Sequence, residues 1–85
     1  MLIRQMQLGK QGITENFINS LKNQFKNSQV IKVYVLKSAT RDREQIKQFR
    51  DKLLENLGKN FTGRIIGFTI ILRKWRLTFV RDKNN

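Results

Sequence analysis

The residues best suited to chemistry in this 85-residue chain lie in one short stretch, Leu8-Gly9-Lys10-Gln11-Gly12-Ile13-Thr14-Glu15. Glycines at positions 9 and 12 let the backbone approach a bulky ligand and take positive φ without a Cβ clash. Lys10 stands between them and supplies a mobile positive charge. A strand-like run precedes the stretch and a helix-like run follows it. Free N–H groups of the opening helix then point back into the loop and favour an anion there. That combination is a small phosphate clamp. In a chain of net charge +12, the expected phosphates belong to a nucleic acid.

Other chemistries are poorly supplied. There is no cysteine for a disulfide or a thiolate zinc site, and no histidine to serve as general base or metal ligand. The six carboxylates, Glu15, Asp42, Glu44, Asp51, Glu55 and Asp82, are scattered among basic neighbours and form no obvious pair. No catalytic residue, metal site or cofactor is therefore expected. Eighty-five residues build one modest core without a deep enclosed pocket, so a small-molecule substrate is not expected either. Lys and Arg outnumber Asp and Glu 18 to 6, an excess that marks a polyanion partner. No run approaches the ~20 apolar residues of a membrane span. The start Met1-Leu2-Ile3-Arg4 lacks the apolar stretch of a signal peptide. A cytoplasmic address without a membrane partner is the expectation.

The elements that must hold the loop follow from periodicity. Alternation over 2–8 predicts a strand with Leu2, Met6 and Leu8 on one side and Ile3, Gln5 and Gln7 on the other. Thr14 is placed to cap a helix whose apolar stripe is Phe17, Ile18, Leu21 and Phe25, with Asn19, Lys22, Asn23 and Lys26 facing away. Val30 to Leu36 reads as an interior strand broken only by Lys32. A basic connection over 37–43 leads into a second helix from about Asp42 to Leu57, with Ile46, Phe49, Leu53 and Leu57 inward and Gly58 as its C-cap. Phe61–Ile66 and Phe68–Lys74 form a hairpin hinged at Gly67. Trp75, Leu77 and Phe79 continue the alternation, and 81–85 fray. The order β-α-β-α-β-β implies an α/β fold: a two-layer sandwich of a mixed four-stranded sheet and two helices, one domain over 1–80.

Several strings occur in a recognisable order: Gly9-Lys10-Gln11-Gly12-Ile13-Thr14-Glu15-Asn16, then Val30-Ile31-Lys32-Val33, then Ile65-Ile66-Gly67 and Ile70-Ile71-Leu72. Together they resemble the CRM domain (chloroplast RNA splicing and ribosome maturation), whose single-domain bacterial and archaeal members are called YhbY-like. The resemblance spans roughly residues 3 to 74. It implies an RNA-binding module with a fold similar to the C-terminal domain of translation initiation factor three. It also implies a GxxG loop like the one that grips backbone nucleotides in KH domains. The family's usual N-terminal helix is not expected before the first strand. One expectation is that Trp75, Leu77 and Phe79 cover the apolar surface that helix would shield; the other is that Trp75 stacks on a base.

What the resemblance implies about function is contact with structured ribosomal RNA or a pre-ribosomal particle. The protein would act in large-subunit assembly or remain as a ribosome-associated constituent, with ribosomal proteins as neighbours. Gly9, Lys10 and Gly12 match the family's RNA-contacting loop, and Lys32 matches a recurrent family lysine. Gln11 lies within that loop and Thr14 begins the helix behind it. Lys22, Arg41, Arg43, Arg73 and Lys74 are the helix, connection and strand cations expected to widen the contact. The alternative is an Alba-like chromatin protein binding DNA or RNA, which also carries a Gly-Lys turn before a helix.

Overall fold

A computed structural model describes residues 3–75. The elements are β1 (Ile3–Leu8), α1 (Glu15–Phe25), β2 (Val30–Val35), α2 (Arg43–Leu57), β3 (Phe61–Ile66) and β4 (Thr69–Lys74). The sheet has four strands in the order β1-β2-β4-β3. β1 and β2 pair in parallel, and β4 is antiparallel to both β2 and β3. Three strands thus run the same way, with β4 inserted in reverse between β2 and β3. This is the expected two-layer α/β sandwich.

Strand alternation divides the sheet into two unlike faces. Leu8 of β1, Ile31, Val33 and Val35 of β2, and Ile70 and Leu72 of β4 are buried, and they meet Ile18, Leu21 and Phe25 of α1 and Ile46 and Leu53 of α2. Met6, Phe17, Phe49, Leu54, Leu57, Phe61 and Ile65 pack around this core. Both helices therefore lie on one face, and among the described residues no element covers the other. No helix of the described residues is long and apolar enough to cross a membrane.

Local signals fix the boundaries. Thr14 Oγ1 accepts from the Phe17 amide at 3.1 Å, satisfying one of the orphan donors of α1. Asp42 Oδ1 does the same for Glu44 at 3.0 Å, so Asp42 is the cap of α2 and not its first residue. Gly67 (φ 61) and Phe68 form the two-residue turn between Ile66 and Thr69, where glycine takes the central position that needs positive φ. Leu2, Leu77, Phe79 and the fraying expected at 81–85 lie outside the described residues. Trp75 is not part of the core: it remains 42% exposed, held by its indole N–H to Thr62 Oγ1 (3.1 Å) and by Arg73, 4.2 Å from the ring centre.

Candidate nucleic-acid interface

The glycine stretch leaves the carboxyl end of β1 and enters α1. The Gly12 N–H donates to Gly9 O at 2.9 Å, closing a tight turn with Lys10 and Gln11 exposed at its tip. Gly12 has φ 69, the left-handed region that glycine enters without penalty. Gly9 does not share that conformation, so only one of the two glycines is there for positive φ. A Cβ at Gly9 would lie 3.7 Å from Ser38 Oγ and 3.8 Å from Leu36 Cδ1, which is ordinary contact.

Among the described residues, the N–H groups of Lys10, Gln11, Ile13, Glu15 and Asn16 donate to no protein acceptor. Those of Glu15 and Asn16 open α1, where the helix dipole adds positive potential. Beside them an open cleft of about 420 Å³ runs between the β1 edge and α1, lined by Met6, Gln7, Gly9, Lys10, Gln11, Gly12, Thr14, Asn16, Phe17 and Ser20. No carboxylate lines it. Glu15, the acid nearest in sequence, instead lines the separate groove between the helices, with Lys22, Lys52 and Asn56. Uncommitted donors, one lysine and an acid-free wall suit an oxyanion that does not titrate away, such as a phosphodiester.

The connection from β2 to α2 stands at the same end of the sheet. Leu36 donates to Leu8 O at 2.9 Å, and Ala39 and Thr40 fold back on Leu36 O. The Arg43 guanidinium lies 5.9 Å from the Phe68 ring centre, which brings the β3–β4 turn to this rim as well. Gly9, Lys10, Gln11, Gly12, Thr14, Arg41 and Arg43 thus share one end of the molecule.

The remaining expected contacts lie elsewhere. Lys22 lines the interhelical groove, two turns from Glu15. Lys32 and Arg73 stand on the uncovered sheet face, flanking opposite sides of the β2–β4 pairing. Lys74 sits at the far end, where its Nζ donates to Phe25 O at 2.6 Å and terminates α1. Residues that sequence reading passed over also emerge. Asn16 and Ser20 face the cleft four residues apart, a spacing that could have been read as a polar stripe adjoining the loop. Tyr34 and Arg64 join Lys32 and Arg73 on the open face, as strict alternation along β2 and β3 would have indicated.

Among the described residues there is no group of three or more acidic, histidine or cysteine side chains placed to hold a metal ion. No curated protein and no solved structure matches the chain at a significant level. The family description "CRS1 / YhbY (CRM) domain" matches residues 1–74, while nothing found favours the Alba-like alternative. By that match over most of its length, the chain belongs to the CRM domain family, a family of small RNA-binding domains.

Proposed function

We propose that this protein binds structured ribosomal RNA through its Gly9–Gly12 loop, acting in assembly of the large ribosomal subunit or staying on the particle as a small constituent of the cytoplasmic ribosome. The observation that carries the reading is the loop itself: exposed Lys10, uncommitted N–H groups, and a neighbouring cleft without a carboxylate. Backbone amides and Lys10 take phosphate oxygens, and Arg41 and Arg43 extend the contact along the same rim. Such contacts position an RNA without reading its sequence. Discrimination then rests on RNA shape and 2′-hydroxyls.

Crosslinking in cells, followed by sequencing of the attached RNA and sedimentation of the bound particle, tests the assignment. Reads concentrated on large-subunit RNA, co-sedimenting with its precursor, are expected. Reads spread evenly over messenger RNA would remove the ribosomal role and leave the RNA-binding one. In vitro, Lys10→Ala should weaken all bound RNAs alike, since a backbone clamp does not distinguish bases.

A further inference from the structure

The uncovered face of the sheet carries a second pattern. Cross-strand register aligns its side chains in three rows: Gln7, Tyr34, Thr69 and Ile66; then Gln5, Lys32, Ile71 and Arg64; then Ile3, Val30, Arg73 and Thr62. Trp75 adjoins the third row through Thr62 and Arg73. Among the described residues this face holds three cations and no carboxylate, whereas Glu15, Asp42, Glu44, Asp51 and Glu55 all belong to the helices or their caps.

We infer that this face is a stacking platform for unpaired nucleotides of the bound RNA, with bases on Tyr34 and on the Arg73–Trp75 pair and phosphates on Lys32 and Arg64. The inference rests on the RNA-binding reading but not on the glycine loop as its contact. Lys32 and Arg64 are separated by β4, which sets them about 10 Å apart across the exposed side of Ile71. Cations at that separation can hold successive backbone groups while an apolar residue lies beneath the sugar or base. Trp75 is fixed by its hydrogen bond to Thr62 and stacked on one guanidinium, so little ordering remains to be done on binding. Bases stack on both aromatic rings and arginine planes, without regard to sequence. An apolar protein partner fits worse. It would bury Lys32 and Arg64 without an acid to pair them.

The full chain contains one tryptophan, so its emission reports on this face alone. The test compares a blunt RNA hairpin with the same hairpin bearing a tail of about ten unpaired uridines. The tailed RNA should bind more tightly and quench Trp75, and the blunt one should leave the emission unchanged. Trp75→Ala or Arg64→Gln should lower affinity for the tailed RNA roughly five- to hundredfold, returning it to that of the blunt hairpin. Trp75→Phe should retain most of the gain, and unchanged melting temperatures would show these variants folded. Equal affinity for the two RNAs, or unmoved emission at saturation, overturns the inference. So does an emission shift that follows protein concentration without RNA while sedimentation shows a dimer, since the face then belongs to a second copy. Lys10→Ala separates the two contacts. If it spares the blunt hairpin, the loop reading fails while the platform stands; if only it matters, the platform fails.

Discussion

Lys74, at the end of the last strand, donates its ammonium to the carbonyl of Phe25 at the end of the first helix, 2.6 Å away. A residue that charge alone would assign to RNA is thereby committed to the fold. The cation satisfies an orphan carbonyl at the negative end of the α1 dipole and ties β4 to the helix layer.

Lys74→Met should keep the aliphatic packing and lose this bond, costing about 1 kcal/mol of stability. Thermal melting reads the loss. RNA affinity at a permissive temperature should change far less than with Lys10→Ala; an equal drop would place Lys74 at the RNA.

The two loop glycines should respond differently. Gly12→Ala forces an L-residue into positive φ and should cost about 1–2 kcal/mol together with RNA affinity. Gly9→Ala has room and no such strain, so its melting temperature should hold. A loss of affinity in Gly9→Ala alone would then measure how closely the backbone approaches its ligand.

Gly63 faces α2, and a Cβ there would stand 2.8 Å from Arg50 Cγ and 3.3 Å from Leu54 Cδ1. Gly63→Ala should therefore destabilise by about 1–3 kcal/mol through overpacking. Denaturant titration checks this, and the RNA affinity of the folded fraction should be unaltered.

Asp42 caps α2 while holding a negative charge between Arg41 and Arg43. Asp42→Asn keeps a capping oxygen and removes the charge, so stability should hold and RNA affinity should rise. Asp42→Ala loses the cap as well, at about 1 kcal/mol. Filter binding alongside melting curves distinguishes the two effects.

If ~6 phosphates are neutralised, affinity should fall on the order of 10³-fold between 50 and 200 mM salt. Lys10→Ala should reduce the logarithmic slope by about one. A flat response would exclude phosphate contacts as the source of binding.

Much of this architecture was legible because the relevant signals are local. Thr14 before the Phe17-Ile18-Leu21-Phe25 stripe, Gly58 after Leu57 and Gly67 between two alternating runs each encode a boundary in their own side chains or the lack of one. What was not legible depends on strand order. Nothing local to β4 says that it enters between β2 and β3, yet that insertion places Arg73 beside Val30 and Arg64 across Ile71 from Lys32. Likewise Lys74 and Phe25 are 49 positions apart, so their bond could not be read from spacing. The loop motif, the resemblance and the charge pattern together gave eleven expected contacts, seven of them cations, without saying that they fall into separate surfaces.

The confinement of the described acids to the helix layer reaches beyond equilibrium contact. It gives the molecule an electrical front and back: a near-balanced mosaic behind, and an uncompensated positive side formed by the open strands. In the field of a polyanion such a body turns as it diffuses, so that encounters begin with the productive side already forward. Placement of a handful of carboxylates thus governs how fast a complex forms, quite apart from how long it lasts.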